Sequence, residues 1–429
     1  MEVNYSYLTN NDKIFIFQTN KDADNYKLVS IDIGNPDPTT WKDLVPENEK
    51  DVLQWASVAN EKYLILGYTQ DVKSVVQLHE LATGKLIKKF PLEIGTVSGG
   101  DFSSDIRYKD IFFNFVSFLT PGIIYHCDLS KPPFDLEILR EIKLKDFDRE
   151  KYAAEQVFFK SKDGTSIPMF ITYKKGLQKT GNNFVFMTAY GGFSCTRLPY
   201  FAPNRIVVID NFDGIHAVPN IRGGGEYGEK WHRDGSLDKK QNSFDDFQAA
   251  AEYLIAEKYT NSKLIAINGG SNGGLLMGAC LNQRPDLFGA VVADVGVFDM
   301  LRFDKFTIGH AWVTEYGTSS KEKDFQYLIK YSPLHNIKMS DDPNKQYPAT
   351  MLTTSDHDDR VSPLHSLKFI ATLQFEAKIH STQQNPLIIK VETDAGHGCG
   401  KPLDKIIAEL VDMMCFIVLN TGIKFHPGY

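Results

Sequence analysis

The stretch Lys263-Leu-Ile-Ala-Ile-Asn-Gly-Gly-Ser-Asn-Gly-Gly-Leu-Leu-Met-Gly-Ala-Cys-Leu281 decides how this chain is read. Leu264 to Ile267 is a continuous apolar, partly β-branched run, the pattern of a strand buried on both faces. From Gly273 onward the Leu, Met, Ala and Cys content is that of a buried helix. Between them lies Gly269-x-Ser271-x-Gly273, the spacing of a nucleophile elbow, in which small neighbours let the chain turn sharply while a carbonyl approaches the serine hydroxyl. Ser271 is therefore the candidate nucleophile. The motif alone is common, so its partners must be found elsewhere.

Downstream of about Glu155 strands alternate with helices. Gln156-Val-Phe-Phe-Lys and Ile167-Pro-Met-Phe-Ile-Thr flank Asp163-Gly164, a hairpin signal. Asn183 to Ala189 reads as a strand. Ser243 with Asp246 three positions on reads as a capped helix start, with Phe247, Ala251, Leu254 and Ile255 on one face. Further strands are expected at Ala290-Val-Val-Ala, Ala349 to Thr354 and Pro386 to Val391, with helices at Leu364 to Leu373 and at the C-terminus. The apolar run Ile406 to Leu419 contains Glu409 and Asp412, is too short to span a bilayer, and reads as a buried terminal helix with Pro402 near its first turn. Such alternation predicts a mostly parallel sheet covered by helices, with chemistry at the carboxyl ends of the strands.

A serine hydroxyl needs a base, and the base needs an orienting carboxylate. Two loops at strand ends supply them: Ser355-Asp-His-Asp-Asp-Arg-Val361 and Asp394-Ala-Gly-His-Gly398. The order serine, acid, histidine is that of α/β-hydrolases. His397, between two glycines, is the base candidate, ahead of His310, His357 and His365. Spacing leaves Asp356, Asp358 and Asp359 open as the acid. For the oxyanion, the amide of Asn272 follows the nucleophile, and the Tyr190-Gly-Gly-Phe193 loop follows an earlier strand.

Residues 1 to about 145 are different: short β-branched and aromatic runs, turn residues, and no helical period. Lys13-Ile-Phe-Ile-Phe, Lys62-Tyr-Leu-Ile-Leu and Asp110-Ile-Phe-Phe-Asn lie about 48 residues apart. A second series, beginning at Tyr26, Ser74 and Gly122, keeps the same offset. This predicts about three four-stranded propeller blades, too few to close a ring. The charged segment Leu144 to Tyr152 is the expected linker, giving a partial propeller over 1–145 and a hydrolase domain over 146–429.

The composition is that of a globular protein: 429 residues, 24% charged, net charge −7. Without a basic patch, nucleic acid and anionic membrane surfaces are not expected partners. Five scattered cysteines, Cys127, Cys195, Cys280, Cys399 and Cys415, lack metal-ligand spacing and read as reduced thiols. The N-terminal residues show no signal-peptide pattern, so a cytoplasmic protein is expected.

Taken together, Tyr190-Gly-Gly-Phe193, Asn220-Ile-Arg-Gly-Gly-Gly-Glu-Tyr-Gly228, Gly269-Gly-Ser-Asn-Gly-Gly274, Phe306-Thr-Ile-Gly-His-Ala-Trp312, Asp356-His-Asp-Asp-Arg-Val361 and Ala395-Gly-His-Gly398 closely resemble the prolyl oligopeptidase family along the whole chain. The resemblance implies Ser271 as nucleophile, His397 as base then acid, Asp358 as the orienting carboxylate, and Tyr190 as oxyanion donor beside the Asn272 amide. It implies a proline-sized pocket in which Trp312 stacks on the pyrrolidine ring, lined by Phe193, Val297, Ile308, Tyr316 and Val361, with Arg360 binding a substrate carbonyl. The implied activity is hydrolysis of short peptides after proline through an acyl-enzyme, by a monomer, without metal or cofactor. Family members carry a larger propeller, usually of seven blades, and an N-terminal arm; by comparison this chain begins inside the propeller. Two alternatives follow: a related acylpeptide hydrolase or dipeptidyl peptidase, and a catalytically silent chain whose β surface binds a partner.

Overall fold

The computed structural model describes residues 3–427 except 381 and 399, so Cys399 lies outside the described residues. The chain divides into two compact units: residues 1–150 with 196–202 and 225–231, and residues 151–195, 203–224 and 232–429.

The first unit contains three antiparallel sheets of four strands, as the repeat predicts. Strands β1 (Tyr5–Asn11), β2 (Ile14–Thr19), β3 (Lys27–Asp32) and β4 (Lys42–Val45) form one. Strands β5 (Val52–Ala59), β6 (Tyr63–Gln70), β7 (Lys73–Glu80) and β8 (Leu86–Lys89) form the next, and β9 (Phe102–Ser103), β10 (Asp110–Phe115), β11 (Ile123–Asp128) and β12 (Glu137–Glu141) the last. Strand alternation explains how they stack. In β6, Leu64, Leu66 and Tyr68 pack with Ile16, Leu28 and Val45 of the first sheet. The intervening Ile65 points the other way, among Phe113, Phe115 and Ile123 of the third. Residues 196–202 and 225–231 belong to this unit: Thr96 Oγ1 donates to the Pro199 carbonyl (2.6 Å), and the Tyr26 hydroxyl to Glu229 Oε1 (3.0 Å).

The second unit is built on one eight-stranded sheet: β13 (Tyr152–Lys160), β14 (Ser166–Lys174), β15 (Val185–Thr188), β16 (Ile215–Pro219), β17 (Ile265–Gly270), β18 (Ala290–Asp294), β19 (Ala349–Ser355) and β20 (Leu387–Glu392), ordered β13-β14-β16-β15-β17-β18-β19-β20. The hairpin β13–β14 is antiparallel and joins β16 antiparallel; from β16 to β20 neighbouring strands are parallel. The α-helices of the chain are α1 (Pro203–Asn211), α2 (Gly228–Arg233), of which residues 228–231 group with the first unit, α3 (Gln241–Ala256), α4 (Asn272–Gln283), α5 (Val313–Tyr316), α6 (Glu322–Tyr331), α7 (Leu364–Ile379) and α8 (Leu403–Thr421). The α/β-hydrolase architecture and the preceding blades expected from the sequence are thus both present.

Two local readings need correction. Ser243 does not cap a helix: α3 already begins at Gln241, and the Ser243 hydroxyl donates to the Arg222 carbonyl at 2.7 Å. Asp246 is fully buried and accepts from the Arg222 guanidinium at 2.6 and 2.9 Å, so the acidic residue serves a tertiary ion pair rather than a cap. Helix α8, expected to be buried, buries only Met413, Phe416 and Ile417, while Leu403, Ile407, Val411 and Leu419 are exposed. Its apolar residues run around the helix, and a continuous run conceals which stripe meets the sheet. No helix among the described residues is long and apolar enough to cross a membrane.

Candidate active site

Strand β17 ends at Gly270 and α4 begins at Asn272, leaving Ser271 alone at the turn with φ 60° and ψ −118°. A non-glycine residue reaches that conformation only under strain, held here by the Ser271 amide donating to the Asp294 carbonyl at 2.9 Å. The first helical bond of α4 runs from the Leu275 amide to the Ser271 carbonyl (3.1 Å). The amides of Asn272, Gly273 and Gly274 therefore have no partner one turn back within the helix, and this end of α4 favours negative charge. A Cβ on Gly273 would lie 2.9 Å from the Ala189 carbonyl oxygen, which is why the elbow needs glycine there.

The Tyr190–Phe193 loop packs onto the elbow. Asn272 Nδ2 donates to the Tyr190 carbonyl at 2.6 Å, and a Cβ on Gly192 would collide with the Asn272 amide group at 2.5 Å. The Tyr190 phenol lies close enough to Ser271 for the serine to favour its ionised form. Burial raises the phenol above its ordinary value, helped by the Cys195 and Glu315 charges and opposed by Ser271 and the Arg360 charge, so the group stays a proton donor at neutral pH. Tyr316, fully buried, donates its hydroxyl to Asn272 Oδ1 at 2.8 Å.

Asp358 and His397 meet after β19 and β20, at the same carboxyl edge that carries Ser271. Asp358 Oδ2 lies 2.7 Å from His397 Nδ1, and Oδ1 accepts the amides of Arg360 (3.0 Å) and Val361 (2.9 Å). The carboxylate side chain is wholly buried, the imidazole 13% exposed. A carboxylate can only accept from Nδ1–H, which leaves Nε2 as the free lone pair. The competitors sit elsewhere: Asp356 is paired with exposed His357 (2.7 Å), Asp359 is exposed, and His310 is exposed on a short turn. His365 is buried in α7, with Nδ1 accepting from the Asp299 amide at 3.0 Å.

The expected pocket residues divide. Phe193 meets Tyr316 edge-on, with ring centroids 5.5 Å apart, and Trp312 and Tyr316 both pack on Phe303. Val297 and Val361 are buried, whereas Ile308 is 44% exposed. The exposed side chain of Arg360 lies close enough for its charge to act on Tyr190, and its carbonyl accepts from Thr307 Oγ1 at 2.6 Å.

Sequence reading missed three buried or half-buried ionisable groups beside this loop. Lys240 Nζ donates to the Gly191 carbonyl at 2.7 Å, and Glu315 Oε1 accepts from the Phe193 amide at 3.0 Å. His232 Nε2 lies 2.7 Å from Glu315 Oε2. They come from three separate segments with no shared motif, so only the fold brings them together.

Comparison with known proteins finds relatives along nearly the whole chain. The Prolyl oligopeptidase family profile matches residues 199–423, and that of the Prolyl oligopeptidase N-terminal beta-propeller domain matches residues 1–136. The chain is 43% identical over 435 residues to a prolyl endopeptidase of Dictyostelium discoideum, covering 98% of this chain and 56% of the relative. It is 38% identical over 425 residues to a dual function macrocyclase-peptidase of Galerina marginata, covering 98% and 56%. A solved structure of prolyl oligopeptidase B from Galerina marginata, bound to a 35mer hydrolysis and macrocyclization substrate, superposes with a TM-score of 0.92 at 36% identity, covering 99% of this chain and 59% of that one. The chain thus spans a little over half the length of the relatives it matches, and with a profile that covers more than half of its own residues it belongs to the prolyl oligopeptidase family.

Proposed function

We propose that this chain is a serine peptidase that hydrolyses short peptides on the carboxyl side of proline. The observation that carries the reading is the convergence at one sheet edge of strained Ser271, the Tyr190 phenol near it, and the Asp358–His397 pair. In this reading His397 Nε2 takes the Ser271 proton as Oγ attacks the carbonyl carbon, and Asp358 stabilises the imidazolium through Nδ1. The Asn272 amide and the Tyr190 hydroxyl receive the oxyanion. His397 then protonates the leaving amine, and water releases the acyl group by the same steps in reverse. Nucleophile, base and oxyanion donors all come from the chain, so the reading assigns no metal or cofactor.

Proline specificity rests on Trp312 with Phe193, Val297, Ile308, Tyr316 and Val361: a flat, apolar, secondary-amine ring suits an aromatic slot, and the Arg360 guanidinium suits a peptide carbonyl. The functional division is a partial propeller over 1–145 and a peptidase domain over 146–429, with 196–202 and 225–231 folding with the former. The protein is read as a cytoplasmic monomer. A panel of internal-proline, free-N-terminal and blocked-N-terminal peptides, assayed on wild type and S271A, tests the reading. Serine-dependent cleavage after internal proline supports it, while preference for acylated or dipeptidyl termini overturns it. A second reading, transfer of the acyl group to a peptide amine, is favoured by the macrocyclase-peptidase relative. Cyclic product from a long proline-containing peptide would identify it.

A further inference from the structure

Tyr190 is useful only if its loop holds still, and that loop is an unfavourable piece of backbone. Gly191, Phe193 and Ser194 have φ of 65°, 56° and 54°, two of them on residues with a Cβ. Its peptide groups are gripped from both sides of Gly192: the Gly191 carbonyl by Lys240 Nζ and the Phe193 amide by Glu315 Oε1. The gripping atoms lie 3.6 Å apart, and the two side chains are 1% and 3% exposed. Burial by itself raises the Glu315 carboxyl, but the His232 hydrogen bond, the Lys240 charge and the Phe193 amide outweigh it and hold the group below its usual value. Glu315 also precedes Tyr316, whose hydroxyl is on Asn272. One short helix, α5, is therefore tied both to the Tyr190 loop and to the residue after the nucleophile.

We propose that Lys240 and Glu315 are positioning residues that fix the 190–194 loop so that the Tyr190 hydroxyl faces Ser271. The inference rests on the reading of Ser271 and Tyr190 given above. Energetics favours positioning over stability as the reason for the pair. Desolvating two charges offsets most of their attraction, and replacing both with apolar groups is often neutral, while removing one leaves the other stranded. No such replacement can supply a donor for the Gly191 carbonyl and an acceptor for the Phe193 amide together.

The test is a double-mutant cycle on cleavage of a chromogenic proline peptide, using wild type, E315Q, Y190F and the double variant, with hydrogen exchange read on the 190–195 segment. E315Q is expected to lower kcat by ~10- to 100-fold with KM within ~3-fold, and to add less than ~3-fold in the Y190F background. Exchange in the loop should rise by at least ~10-fold while β17 and β18 stay protected. K240M/E315L, which strands neither charge of the pair, is expected to keep a cooperative melt, lowered by the two backbone groups left unpaired, yet lose the same kcat. Additive losses in the cycle, or an unchanged loop exchange in both E315Q and K240M/E315L, would overturn the proposal. If wild type shows no Ser271-dependent cleavage the functional reading falls, and loop exchange still decides whether the pair holds the loop.

Discussion

The two units bury different kinds of side chain. The first unit buries, among ionisable acids and bases, Asp51, His79 and Glu226, and otherwise interlocks aliphatic and aromatic rows between sheets. The second unit buries Arg205, His216, Arg222, Lys240, Asp246, Asp299, Glu315, Asp358 and His365 beside its apolar core. Apolar burial yields ~25 cal/mol per Å² with no geometric demand, whereas a buried charge is tolerated only when its partners are placed to satisfy it. The repeat is thus stabilised by filling space. The α/β unit carries charges that packing alone gives no reason to keep, and two of them, Asp358 and Glu315, hydrogen-bond His397 Nδ1 and the Phe193 amide.

Substitutions in each unit can break or sharpen this contrast. D358N should retain the fold yet lower kcat by ~10⁴-fold on a proline peptide, because an amide can present its NH₂ to Nδ1 and invert the tautomer of His397. Loss of cooperative melting in that variant would instead make Asp358 a structural group. In the blades F113A, at a position 1% exposed, should destabilise the first unit by ~3–5 kcal/mol in urea melts while leaving the second unit's exchange protection unchanged. Equal loss of protection in both would erase the distinction.

Acid should act on both units, through buried His79 in the first and, with the larger shift, His365 in the second. Burial pulls the His365 imidazole down to about 4 from an ordinary 6.5, so between those values the unfolded chain binds a proton that the folded chain refuses. The stability this confers is complete above pH 6.5 and is lost as pH falls toward 4, by up to ~3 kcal/mol. Melts at pH 7 and pH 5 on wild type and H365Q check it: the variant should show a shallower slope. The smallest effect is expected from W312A, which should cut kcat/KM for proline peptides by ~10- to 100-fold while sparing a small activated ester.

How far the sequence reveals this depends on how local each signal is. Ser271 is legible because glycine spacing, the strand before it and the helix after it are contiguous. The blades are legible because the β6 pattern recurs in β2 and β10. Spacing alone leaves Asp358 one of three neighbouring acids; the family resemblance points to it, and the fold sets its buried carboxylate apart from paired Asp356 and exposed Asp359. Asp246 looked like a capping acid because its true partner, Arg222, lies outside the helix. Lys240 and Glu315 carry no motif, since a pairing made through tertiary structure leaves no periodic trace. Helix α8 misled for the opposite reason: its apolar run is real, but hydropathy does not say which side meets the sheet.

The central claim, that Ser271 is an activated nucleophile in this chain, is most directly tested by labelling with a fluorophosphonate and mapping the adduct. The account predicts one adduct, on Ser271, formed by wild type and absent from S271A, with labelling slowed in D358N. Folded wild-type protein that takes no label, or label that persists in S271A, would contradict it.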